Sequence, residues 1–155
     1  MSSQEALTKQ LAVRKAVLLK EKCSRELMFW LSNYVKTYDE HDSVLPVKNF
    51  PIKPYTETIV TEIQENSILH LAKSRQMCIS WLAMAFLLHE AQFFAYRLEA
   101  VFSKKEEDAH ALVERAKFMY LNQPRWLQAL CPLDRKVRDM PYGNMFFANG
   151  SKLRG

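Results

Sequence analysis

The sequence predicts an α/β fold in which a parallel sheet is flanked by helices, behind an N-terminal helical segment. Two observations carry this. From residue 68 onward short apolar runs and long helical patterns alternate as strand, helix, strand, helix, the order of units that build a parallel sheet. With 155 residues, 48% of them hydrophobic, the chain is also long enough to close one core.

Residues 5–36 predict helix. Leu7, Leu11 and Leu18 share a face, Leu27 and Leu31 form a pair four apart, and long straight side chains fill the positions between. TYDEHDS at 37–43 has no periodicity and predicts a turn; its Asp39, Glu40, His41 and Asp42 read as solvated loop residues rather than metal ligands. The three prolines of VLPVKNFPIKPY, Pro46, Pro51 and Pro54, predict an extended connection. Residues 1–48 therefore form a helical segment with its linker, and 49–155 a second region.

Tyr55 opens a helix whose face is Tyr55, Ile59 and Ile63, with a stop at Asn66-Ser67. ILHLA at 68–72 then predicts a buried strand with His70 as a satisfied core histidine, ISWLAMAFLLHEAQFFAYRLE at 79–99 a mostly buried helix, and AVFS at 100–103 a second strand. KKEEDAHALVERAKFMYL predicts a helix, with Ser103 as N-cap and Glu106 as its capping-box partner. After a short turn or helix at PRWLQAL, NMFFANGSKLRG reads as a strand, an Asn149-Gly150 turn and a return strand.

Composition excludes several function classes. The three glycines are Gly143, Gly150 and Gly155, so neither GxGxxG nor an unmodified GxxxxGK[ST] loop is present. Cys23, Cys78 and Cys131 are odd in number and never form CxxC, which argues against a disulfide framework or zinc finger and fits reducing cytoplasm. The N-terminus lacks the apolar core of a signal peptide, and the longest apolar run is interrupted by His89, Glu90 and Gln92, so no membrane partner is expected. Net charge is +5, and residues 121–155 carry six basic against two acidic side chains. Arg125, Arg135, Lys136, Arg138, Lys152 and Arg154 therefore form a candidate surface for DNA phosphate.

The most informative stretch is ILHLAKSRQMCISWLAMAF, where a predicted strand runs through a polar loop into a long helix. In open α/β sheets ligands bind at such a loop, and the helix start offers unpaired N–H groups to phosphate. Lys73 and Arg75 add positive charge there, and Ser80 offers a hydroxyl to a phosphate-bound magnesium ion.

KSRQMCISWLAMAF, SKKEEDAHALVERAKF and MFFANGSKLRG, in this order, resemble the ATPase part of the large terminase subunit of tailed bacteriophages, over roughly residues 50–155. The resemblance implies a partial P-loop NTPase-like sheet, ATP and Mg2+ as cofactors, and a variant phosphate loop of the pattern K-[SA]-R-Q-x-G-x-[ST]. On it, Lys73 matches the displaced loop lysine, Ser74, Arg75, Gln76 and Ile79 stand in the loop, and Ser80 matches the magnesium-side hydroxyl. Tyr55 falls in NFPIKPY, similar to the segment that packs near adenine, although the glutamine expected after it is absent. Cys78 stands where the pattern has glycine.

The acidic strand and the nuclease domain of a complete relative are not found within residues 49–155, so little independent hydrolysis is expected. For a complete relative the resemblance implies double-stranded DNA, a small terminase subunit and a portal as partners, homo-oligomerisation, and the bacterial host cytoplasm as location. The competing expectation is a non-catalytic DNA-binding or assembly module, derived from a degraded prophage gene.

Overall fold

A computed structural model of the chain describes residues 3–75, 77–136 and 139–155. It is a mixed α/β fold of small sheets and flanking helices. The predicted N-terminal helix is two helices, α1 (Ser3–Arg25) and α2 (Leu27–Tyr34), separated at Glu26. The first four turns of α1 leave Leu7, Leu11 and Leu18 more than half exposed, whereas α2 buries Leu27, Trp30 and Leu31. The predicted turn at 37–43 belongs to an antiparallel hairpin of β1 (Lys36–Tyr38) and β2 (Val47–Asn49), with Thr37 opposite Lys48. Alternation over three residues is too short to signal a strand, so only pairing reveals it.

Helix α3 (Thr56–Glu65) begins beside Tyr55 and ends at Asn66, as its apolar spacing predicts. The next prediction fails. Residues 68–72 form no strand: Ile68 is 91% exposed, His70 lies in solvent, and Leu69 and Leu71 are more than a third exposed. A strand is held by its neighbours, and among the described residues none pairs with this run.

Helix α4 (Ile79–Phe93) stops six residues before the predicted end. The chain turns at Phe94 and enters β3 (Leu98–Ala100), two residues ahead of the predicted AVFS strand. Helix α5 (Glu106–Leu121) starts at an N-cap of Lys105 with no side-chain cap, so Ser103 is not the cap and no capping box forms. Its first-turn Glu106, Glu107 and Asp108 still meet the positive end of the helix dipole. Helix α6 (Arg125–Leu130) follows Pro124, and β4 (Asn144–Phe146) with β5 (Lys152–Arg154) makes the predicted C-terminal hairpin. The sheet order is β3-β5-β4, with β3 and β5 parallel and β4 antiparallel to β5.

The core lies between α4 and α5, closed by α2 on one side and by β4 and β5 on another. Trp30, Leu31, Ala85, Leu88, Ala91, Val113, Ala116, Met119, Leu127, Met145 and Leu153 are fully buried. Two polar ties cross it. Gln92 and Gln123 exchange amide hydrogen bonds at 2.8 and 3.0 Å, which satisfies four buried polar groups with two side chains. His89 lies 2.8 Å through Nε2 from the Cys23 carbonyl. A carbonyl can only accept, so Nε2 carries the hydrogen and the tautomer is set.

The C-terminal hairpin also closes the end of α4. The Asn149 side-chain amide reaches the carbonyls of Ala91 (3.1 Å), Gln92 (3.3 Å) and Phe94 (3.1 Å), which the last helical turn leaves without N–H partners. Ser151 Oγ donates to the Phe94 carbonyl at 2.7 Å and accepts from the Arg97 N–H at 3.0 Å. Between them Gly150 holds φ +86, and a Cβ built there would come within 2.7 Å of the Tyr96 ring. Replacing Asn149 by alanine should cost about 1–3 kcal/mol by removing the donor to the Ala91 and Gln92 carbonyls, while Ser151 Oγ still serves Phe94. Asp should cost more, since it loses the donor and sets a negative charge at a helix C-terminus. Denaturant midpoints of the two variants against the unaltered chain measure this order.

Candidate functional site

The segment between α3 and α4 bends at 67–68, runs without regular structure through 69–74, turns at Arg75 and enters α4 through Met77 and Cys78. Cys78 is the N-cap and adopts φ 54, ψ 12, the left-handed conformation that glycine takes without a Cβ penalty. Its side chain makes no capping hydrogen bond, so the first N–H groups of α4 stay available to a ligand. The backbone conformation implied by the glycine in the loop pattern is thus present, held by a cysteine.

This helix start forms one wall of an open cleft of about 690 Å³. The β1–β2 hairpin forms the opposite wall with Tyr38, Asp39 and Lys48, and α5 contributes Arg115. Of the residues singled out from sequence, Lys73, Cys78, Ile79 and Ser80 line the cleft together. Ile79 is buried and Ser80 half-buried. Ser74 and Arg75 are exposed and do not line it, and Gln76 lies outside the described residues. Tyr55 does not line it either; its hydroxyl donates to the Met77 carbonyl at 2.9 Å, tying the start of α3 to the loop.

The hairpin wall carries its own charge balance. Lys48 bridges Asp39 at 2.7 Å and Asp42 at 2.9 Å. Asp42 also accepts the N–H groups of Leu45 and Val44, and these bonds with Lys48 lower its carboxyl to about 2. The Lys48 hydrogen bond and the His41 N–H likewise hold Asp39 below the usual carboxylate range, and the two acids raise Lys48. Asp39, Glu40, His41 and Asp42 are thus a lysine-bridged turn. Among the described residues no group of three or more His, Cys, Asp or Glu side chains is placed to hold a metal ion.

On the other side, neither Lys73 nor Arg115 forms an ion pair with a described residue. Arg115 instead lies 5.4 Å over the Trp81 ring. Trp81 meets Phe118 edge-on at 5.9 Å, and Tyr38 of the hairpin meets the same ring at 5.9 Å. Arg115 and Trp81 had no signal in the sequence, since ALVERAKF reads as one more helix with charges spaced along it. Only the packing of α5 on α4 separates Arg115 from its neighbour Lys117, which is buried and pairs with Glu114 at 2.6 Å.

The basic C-terminal residues do not line the cleft. Arg125, Arg135, Lys136, Lys152 and Arg154 are exposed, and Arg138 lies outside the described residues. Arg135 and Arg154 lie 5.3 and 5.4 Å from the centre of the Phe146 ring, while Phe147 is buried. No helix among the described residues is long and apolar enough to cross a membrane. No protein-family model matches the chain, and no curated protein matches it significantly.

Two measurements follow from this geometry. Cys78→Gly removes a Cβ from a left-handed position and should stabilise the fold by about 1 kcal/mol, seen as a Tm higher by about 2–4 °C. The hairpin acids, lowered in the folded state, contribute stability in full above the ordinary carboxylate value of 3.8 and lose it as pH falls toward about 2. Carboxyl chemical shifts of Asp39 and Asp42 followed from pH 6 to about 1.5 should therefore titrate late, and Lys48→Met should move both midpoints upward.

Proposed function

We propose that the cleft is a phosphate-binding site for ATP with Mg2+, in a chain related to the large terminase subunit that drives DNA packaging in tailed bacteriophages. The observation that carries this is one conjunction: Lys73, Ser80 and the uncapped start of α4 meet in one cleft, behind a residue with the left-handed backbone of a phosphate loop. Each part has its chemistry. Amide N–H groups at the helix start favour an anion through hydrogen bonds and dipole. A lysine supplies a mobile point charge that reaches phosphate from either end of a short loop, and a serine hydroxyl is a ligand suited to magnesium.

In this reading the parallel pair β3 and β5 belongs to a P-loop NTPase-like sheet. Within these 155 residues no acidic side chain ends an apolar strand, so the chain binds nucleotide with little turnover. Duplex DNA, a small subunit and a portal are partners of the assembled motor, in the host cytoplasm.

A second reading, a non-catalytic DNA-binding or assembly module, draws on the exposed Arg154 and Arg135 beside Phe146, although Arg135 also pairs with Asp134 at 3.2 Å. Calorimetric titration of the purified chain with ATP, with and without Mg2+, separates the two. We expect saturable binding that tightens with Mg2+, weakens at least about tenfold in Lys73→Ala, and loses most of its Mg2+ dependence in Ser80→Ala. Absence of ATP binding together with salt-dependent retention of duplex DNA would overturn the nucleotide reading in favour of the second.

A further inference from the structure

Arg115 enters the cleft from α5, outside the loop, the hairpin and the start of α4. It lies in the middle of α5, three residues before Phe118, and so shares the helix face that packs toward the start of α4. The Trp81 ring that supports it belongs to the residue after Ser80. The chain therefore builds an aromatic bracket, Tyr38, Phe118 and Trp81, joining hairpin, α5 and α4, with the guanidinium on its last ring.

Stacking engages the face of a guanidinium and leaves its N–H fork, which lies in the plane, free to bond. Arg115 shows no hydrogen bond or ion pair with any described residue. Asp39 of the facing hairpin is already committed to Lys48, as is Asp42, and Glu40 lies exposed at the cleft rim. Lys73 and Arg115, neither in an ion pair with a described residue, thus line one cleft. A polyanion seated there would pair with both, whereas a purely structural role for Arg115 would be met by any side chain that packs on Trp81.

We infer that Arg115 is a second phosphate contact of this cleft, which with Lys73 makes a two-point grip on a polyphosphate chain, and that Trp81 is its positioning residue. This rests on the nucleotide reading above and assigns part of the binding to a helix that the loop pattern does not include. The fork geometry fits two oxygens of a phosphate chain at once, which a lysine cannot do.

The test uses the 155-residue chain, with inorganic tripolyphosphate and ATP as probes, titrated by calorimetry at low and moderate salt. Arg115→Ala should weaken both probes by at least about tenfold. Arg115→Lys, which keeps charge and packs a similar stem, should fall between it and the unaltered chain. Trp81→Leu should weaken both probes about threefold with no change in net charge. Arg14→Ala removes the same charge from an exposed position on α1 away from the cleft and should leave affinity unchanged. If Arg115→Ala loses its helical circular dichroism, Arg115→Gln and Arg115→Lys carry the comparison. Binding that is sensitive to Lys73→Ala but the same in the Arg115 and Arg14 variants overturns this inference and leaves the nucleotide reading standing. An unaltered chain that binds neither probe at millimolar concentration overturns both.

Discussion

The clasp that Asn149, Gly150 and Ser151 place on the end of α4 is the constraint on which the rest of the structure depends. A helix end left with bare carbonyls in a protein interior is costly, and here one amide and one hydroxyl from a distant hairpin answer them. The same contacts fix the turn at 94–97, because the Arg97 N–H returns to Ser151 and the Tyr96 N–H to the Asn149 carbonyl at 3.3 Å. β3 then leaves that turn already aligned with β5, its parallel partner. Gly150 is needed because the hairpin turns back against the Tyr96 ring, with no room for a side chain.

Fixing one end of α4 fixes the other. The helix is a rigid rod of 15 residues through the core, so the position of its C-terminus sets where Cys78, Ile79 and Ser80 emerge. Core packing of Leu82, Ala85 and Leu88 sets its rotation. Its two termini are treated in opposite ways. The C-terminal carbonyls are satisfied by the protein, whereas the N-terminal amides are left without a side-chain cap and face a cleft with Lys73 and Arg115. An uncapped helix start and two cations in no ion pair with a described residue meet in one place, and that conjunction makes the cleft a candidate site rather than a gap between elements.

Cys78 shows how a local rule can be broken without losing the geometry it serves. A cysteine at φ 54 carries a Cβ clash of about 1 kcal/mol, small beside the packing of Ile79 and Leu82, which hold α4 against the core. The loop therefore keeps a glycine-like backbone in a chain with no glycine before Gly143. The Tyr55 hydroxyl bond to Met77 acts in the same direction, holding the loop against the start of α3.

The sequence by itself determined the elements whose signals are local. The spacing of Tyr55, Ile59 and Ile63 marks α3, the apolar run from Ile79 marks α4, the acidic first turn orients α5, and Asn149-Gly150 marks the C-terminal hairpin. It also set Lys73 and Ser80 beside a helix start, since both lie within one short stretch of chain. What only the tertiary structure decided is everything that depends on a partner distant in sequence. ILHLA has the composition of a strand but no pairing partner among the described residues, and it stays irregular and exposed. The hairpin at 36–49 has little strand signal but finds its own pairing, with Tyr38 anchored on Phe118. Arg115 is one of 22 basic side chains in the sequence, and only the approach of α5 to Trp81 sets it in the cleft. Periodicity and capping act over a few residues and can be read along the chain, whereas strand pairing and charge placement are set by which surfaces the folded core brings together.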